Sequence, residues 1–226
     1  MPGDVFWELN ATRATLVCGP LHASLDVLSP ANGLSEVSHA GVALFGSHFL
    51  GVDLPVSDAS LVAEFYHRGG DVIVRYGQTR ERPFDVSAYW RAGLLVIGGI
   101  GWPRIDLVAS VETSLLDARP SLAAQTRLNL GGDDAFAVSG GDILGRFRVP
   151  AVSYAEIRHP DDAIAASIES VGNRVLCTTR LFGGFLEKGV ILRSRLRGLF
   201  LPRARDEQMA RAALAEFAAA PPPLTS

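Results

Sequence analysis

The stretch Arg104-Ile105-Asp106-Leu107-Val108-Ala109-Ser110-Val111-Glu112 decides the fold class. Ile105, Leu107, Ala109 and Val111 occupy alternate positions, and Arg104, Asp106, Ser110 and Glu112 share the opposite set. A period of two belongs to a half-buried strand, because successive side chains point to opposite faces of a sheet. One face is expected against a core and the other against water. Working outward, the same alternation recurs at 21–28, 61–67, 72–76, 84–91, 124–130, 143–152, 164–171 and 174–182. Between these runs lie turn signals: Ala31-Asn32-Gly33, Arg68-Gly69-Gly70-Asp71, Gly131-Gly132-Asp133-Asp134, Ser139-Gly140-Gly141-Asp142 and Gly172-Asn173. Many strands joined by short turns predict an all-β fold, with an antiparallel β-sandwich as its expected form.

One segment has helical spacing. From 206 to 219, Met209, Ala213, Leu214 and Phe217 form an apolar stripe behind Asp206, which is expected to cap the helix. The helix should dock on a sheet. Pro221-Pro222-Pro223 cannot continue it. The expected organisation is a single domain over 1–226: a sandwich at 1–205, a C-terminal helix at 206–219 and a tail at 220–226.

Composition narrows the function classes. Hydrophobic residues make up 48% of the 226-residue chain and charged residues 20%, enough for a sizeable core and unlike a disordered chain. Met1 to Glu8 carries no basic leader or apolar run, so no signal peptide is expected and the cytoplasm is the expected compartment. The apolar stretch 94–102 is broken by Gly98, Gly99 and Gly101, and falls well short of the roughly 20 residues that span a bilayer. Cys18 and Cys177 belong to no paired motif and are expected as free, buried thiols. A net charge of −3 gives no reason to expect nucleic acid or anionic membranes as partners. Lys188 is the only lysine, so arginine forks carry nearly all the positive charge.

Several motifs fail on their context. Gly98-Gly99-Ile100-Gly101 precedes an alternating strand, where a dinucleotide loop requires a helix. The Gly-Gly-Asp turns lack the spaced oxygen ligands and distal glutamate of a calcium loop. His22, His39, His48, His67 and His159 form no pair with metal-ligand spacing, so no metal and no cofactor are expected. No Gly-x-Ser-x-Gly elbow is present.

Two features point toward chemistry. In the run from Leu186 to Phe200, strand alternation sets Arg193, Arg195 and Arg197 on one face. Same-face guanidiniums would stand roughly 6.5–7 Å apart and need anions between them. Those anions are either ligand carboxylates, phosphates and hydroxyl-rich faces, or Asp and Glu from neighbouring strands. Tyr66, His67, Tyr89 and Trp102 form aromatic groups that serve either as sugar platforms or as core.

The run Leu186-Glu187-Lys188-Gly189-Val190, entering an Arg-rich strand after a succession of antiparallel strands, resembles the galactose mutarotase-like (aldose 1-epimerase) β-supersandwich group. The resemblance covers about the last quarter of the chain. It implies a late glutamate as general base on the anomeric hydroxyl, which would be Glu187, and a histidine as general acid at the ring oxygen. The chain is shorter than such epimerases, and none of its histidines sits in a motif that matches the acid; His67 is the example taken here. Two readings therefore stay open. The first is recognition of a carbohydrate or other polyhydroxylated or acidic ligand, with epimerase-type chemistry through Glu187 and His67. The second is a non-enzymatic interaction or ligand-binding module that uses the Arg-rich strand and the C-terminal helix, with homodimer formation compatible with either.

Overall fold

The computed structural model describes residues 4–54, 62–130, 136–139, 142–162 and 165–221. The chain opens with β1 (Val5–Asn10), β2 (Arg13–Cys18) and β3 (Leu21–Asp26), then β4 (Leu34–His39), β5 (Val42–Ala43) and β6 (His48–Val52). Next come β7 (Val62–Arg68), β8 (Asp71–Tyr76), β9 (Asp85–Ile97) and β10 (Ile100–Glu112). After β11 (Asp117–Ala118) and β12 (Leu122–Asn129) follow β13 (Phe136–Ser139), β14 (Asp142–Arg146) and β15 (Val152–Arg158). The last strands are β16 (Ala165–Val171), β17 (Arg174–Phe182), β18 (Leu186–Glu187) and β19 (Ile191–Pro202), followed by helix α1 (Asp206–Ala219).

The strands form an antiparallel sandwich. The first sheet runs β1-β2-β3-β4-β6-β12-β17-β16, with β5 beside β4; the second runs β13-β14-β15-β19-β10-β9-β8-β7. A small ribbon, β11-β18, stands apart. One continuous apolar core lies between the two large sheets, from Leu16 and Leu25 in the first to Val74, Trp90 and Leu107 in the second. Polar tips inside this core cross from sheet to sheet. Trp7 Nε1 donates to the Gly70 carbonyl (2.9 Å), Trp90 Nε1 to Leu50 (2.9 Å) and the Tyr76 hydroxyl to Val27 (2.9 Å). Large rings thus bury their area while each N–H or O–H keeps a partner.

The alternation at 104–112 is realised, with Ile105, Leu107, Ala109 and Val111 in the core. Its other face is a correction to the expected exposure to water: Asp106, Val108 and Ser110 are buried. The strand is central, paired with β9 and β19, and the arginines of β19 lie over its outer side. The expected run at 84–91 extends through Ile97 and turns back at Gly98 and Gly99, both at positive φ (60° and 79°). Two consecutive left-handed residues are what a two-residue hairpin loop requires. Pro103 sits beyond the register with β19 and pairs only with Leu94. The run at 143–152 divides into β14 and β15 around Phe147–Ala151. Gly131 to Asp134 and Gly140-Gly141 lie outside the described residues, as do Leu61 and Ile164. Strands β1, β2, β4 and β6 go beyond the runs recognised from alternation.

Helix α1 has its expected bounds and docks through a second, smaller core on the outer face of the second sheet. Met209, Ala213 and Phe217 pack there against Ala155, Ile157, Leu199 and Leu201. The capping role expected of Asp206 is corrected: Arg205 holds the cap position, and Asp206 is buried in the first turn. Its carboxylate accepts hydrogen bonds from Arg146 Nε (2.7 Å) and Ser153 Oγ (2.7 Å). Burial pushes this carboxyl up, but those bonds, together with the Glu207 N–H, outweigh it and hold the group below its ordinary value. At the far end, Arg195 Nη1 reaches the Ala220 carbonyl (3.3 Å). An anion at the start of the helix and a cation at its end both complement the helix dipole. Among the described residues, no helix is long and apolar enough to cross a membrane.

Candidate functional site

The site begins with an irregularity in β6. His48 pairs with Arg127 and Gly51 with Gln125, so Phe49 and Leu50 together stand opposite Thr126 alone. This is a β-bulge, a device that re-aims side chains and recurs beside functional sites. Phe49 and Leu50 both turn into the core, and Leu50 takes a left-handed conformation (φ 56°) that a branched side chain adopts at a cost. Its backbone is held on both sides: Leu50 N–H donates to Thr126 Oγ1 (3.0 Å), and the carbonyl accepts from Trp90. Two glycines let the Pro30–Asn32 turn lie against the bulge. A Cβ on Gly33 would stand 2.2 Å from the Phe49 carbonyl, and one on Gly51 2.2 Å from that of Ala31. The result is His48 on the outer face of the first sheet, beside Asn32 and Arg127.

That outer face carries a cross-strand row, Glu169–Leu176–Arg127–His48, spanning β16, β17, β12 and β6. The flanking row places Arg174 opposite Asn129. Asn129 also pins the neighbouring loop: its N–H donates to Ser47 Oγ (2.9 Å) and its Nδ2 to the Phe45 carbonyl (3.1 Å). The Phe45 ring is thereby presented outward, 81% exposed. Two concavities meet at Gly46 and His48. One, of about 730 Å³, is walled by Arg13, Asp26, Asn32, Ser35, Glu36 and Phe45; the other, of about 430 Å³, by Arg127, Asn129, Glu169 and Arg174.

His48 is held toward its neutral form. Burial is the main cause that lowers its pKa below the usual histidine value, followed by the Arg127 guanidinium, against a smaller opposing hydrogen bond to the Asn32 backbone. Its Nδ1 is buried and has no hydrogen-bond partner among the described residues.

The residues singled out from sequence do not assemble here. Glu187 lies in the β11–β18 ribbon opposite Asp117 and is exposed. His67 is exposed on the edge strand β7, in the row His67–Val72–Trp90–Leu107–Leu196. That row sets it four strand spacings, about 19 Å, from β19. Tyr66 and Tyr89 share the outer face of the second sheet, separated by Ile73. Trp102 packs beneath α1. Of the arginine ladder, Arg193 is exposed, whereas Arg195 forks onto Asp162 (2.5 and 3.3 Å) and Arg197 onto Asp106 (2.7 and 3.2 Å). Acids of the protein itself therefore lie between these rungs. Because Glu187 and His67 are exposed, Glu187→Ala and His67→Ala should each leave the thermal midpoint unchanged within about 2 °C in a calorimetric scan.

Sequence reasoning passed over Phe45, His48 and Arg127. A lone histidine has no spacing to read, and its partner lies 79 positions away in the chain. The available signal was the break in alternation at Phe49-Leu50, two apolar residues in succession after Phe45-Gly46-Ser47. Both thiols are buried and free, and burial pushes Cys18 up to about 11. Among the described residues, no group of three or more His, Cys, Asp or Glu is arranged to hold a metal ion.

Fold and site together define a two-sheet antiparallel sandwich with a helix on one outer face and, on the other, a concavity rimmed by Phe45 and by charged side chains. No protein-family model matches the chain, and no curated protein does. Among solved structures it is similar to a chain described as a kojibiose phosphorylase from the human microbiome, at 9% identity and a TM-score of 0.44. The match covers 89% of this chain and 22% of that one, so this chain spans about a fifth of that protein's length.

Proposed function

We propose that this protein recognises carbohydrate on the outer face of the first sheet, across the bulge that carries His48. The observation behind this reading is the meeting at His48, beside the exposed Phe45 ring, of two concavities that carry charged and amide side chains on partly apolar walls. A sugar ring presents several hydroxyls around its edge and an apolar C–H face. Planar groups such as Asn, Asp, Glu and Arg supply paired donors and acceptors for the edge, and an aromatic face suits the C–H side. Cavities of these sizes match small-ligand sites. The strained Leu50 and the two tightly packed glycines fix the position of His48, as expected where strain is retained for a site. The resemblance of residues 186–190 to galactose mutarotase-like sandwiches points to the same ligand class. Epimerase-type proton transfer through Glu187 and His67 would require a ligand that bridges two separate elements.

The rival reading, a contact surface made from the Arg-rich strand and α1, has less support. Arg195 and Arg197 are engaged with Asp162, Asp106, Glu216 and the end of α1.

Titration calorimetry against a panel of mono- and disaccharides tests the proposal. Phe45→Ala should weaken binding of any sugar bound by the wild type by about five- to tenfold, the loss of roughly 1 kcal/mol of ring contact. Sugar binding that Phe45→Ala, Arg127→Gln and His48→Ala all leave intact would remove the ligand from this face.

A further inference from the structure

Charge is distributed unevenly between the two concavities. Arg13, Arg75, Arg91, Arg146, Arg195 and Arg197 each meet a carboxylate of the protein. Among the described residues, Arg127 and Arg174 do not, nor do Arg119, Arg180 and Arg193; what sets Arg127 and Arg174 apart is that they share one concavity wall, with Glu169 beside them. Among the described residues, Arg127 donates to the side-chain oxygen of Gln125 alone (3.1 Å). The two arginines occupy adjacent strands one row apart, with Arg127 opposite Leu176 and Arg174 opposite Asn129. Diagonal neighbours of this kind have backbones about 7–8 Å apart, within reach of long side chains that converge on one anion. Two guanidiniums on one wall repel unless an anion stands between them, and their forks match a carboxylate. The other concavity has the opposite balance: Asp26 and Glu36 face the single cation Arg13, with Asn32, Ser35 and Ser47 alongside.

We infer that the ligand is an acidic saccharide, a sugar bearing a carboxylate, whose acid group lies between Arg127 and Arg174 while its hydroxyls extend past His48 toward Asp26 and Asn32. This rests on the carbohydrate reading above and narrows its ligand class. A His48 ring held toward its neutral form beside Arg127 suits the arrangement, since a ring without charge adds no competing cation.

The test is titration of the whole protein with galacturonate and glucuronate, their methyl esters, galactose, glucose, acetate and inorganic phosphate. The expected result is that at least one uronate binds tenfold or more tightly than its methyl ester and its neutral sugar, with the preference shrinking as salt is raised. Arg127→Gln and Arg174→Gln, both at exposed positions, should each reduce uronate affinity to that of the ester. Esters and neutral sugars that bind as tightly as the acids would overturn this inference and leave the carbohydrate reading standing. A preference that survives both substitutions would overturn the placement on these arginines. Uronates that bind no more tightly than acetate or phosphate would reduce the site to one for bare anions, and absence of binding by every sugar would overturn the carbohydrate reading itself.

Discussion

Replacing Arg197 by alanine is expected to destabilise the protein by about 3–5 kcal/mol, the usual loss when one partner of a buried ion pair is removed. The Arg197 side chain is only 4% exposed. Its Nε and Nη2 bind both oxygens of Asp106 on β10, and its Nη1 binds Glu216 of α1 at 2.8 Å. The guanidinium also lies 4.3 Å from the centre of the Phe217 ring. One side chain thus ties the centre of the second sheet to the docked helix. In the alanine variant Asp106 would stay buried with Arg104, at 3.6 Å, and the Asp71-paired Arg91 opposite it on β9 to balance it. Asp106→Asn in the Arg197→Met background should recover part of the loss, because both charges are then absent. Urea unfolding gives the comparison. A loss below about 1 kcal/mol for Arg197→Ala would show that the pair is not a structural tie.

Glu156 should give the second large effect and a contrasting one. It lies between the sheets, where Thr126 Oγ1 and the Tyr154 hydroxyl (2.9 Å) both donate to its Oε2. Burial raises its pKa above the ordinary carboxylate value, outweighing the hydrogen bonds from Thr126 and Tyr154. Glu156→Ala strands two buried hydroxyls beside a cavity and should cost about 2–4 kcal/mol, whereas Glu156→Gln, close in shape to the neutral acid, should cost under about 1 kcal/mol. The pH dependence has a definite sign. Above the unfolded value of about 4.3 the unfolded chain releases this proton while the folded chain retains it, so stability falls as pH rises toward the folded value. The glutamine variant has no such proton. Its stability relative to wild type should therefore be lowest near pH 4 and improve toward neutral pH, as read from denaturant midpoints at each pH. An unchanged difference across that range would show that the carboxyl is not held neutral.

The arginine strand and the bulge show how far the sequence could be read. Alternation at 191–197 correctly placed three arginines on one face, because side-chain period is a local property of a strand. Whether the facing anions came from a ligand or from the protein depended on Asp106, Asp162 and Glu216, at sequence distances from 19 to 91 residues. His48 shows the reverse. Nothing local distinguishes it, and its surroundings are assembled by β12, the 30–33 turn and the bulge at Phe49-Leu50.

The sequence by itself determined the antiparallel sandwich, the turns at 31–33, 68–71 and 172–173, and the bounds and apolar stripe of the C-terminal helix. These follow from the two-residue and 3.6-residue periods and from glycine's access to positive φ, which act over a few residues. Only the tertiary structure decided that the outer side of β10 is buried, that Asp206 anchors the helix instead of capping it, and that Phe45, His48 and Arg127 share one surface. Those outcomes depend on which strands become neighbours and in what register, and that choice is made by the burial of the whole core.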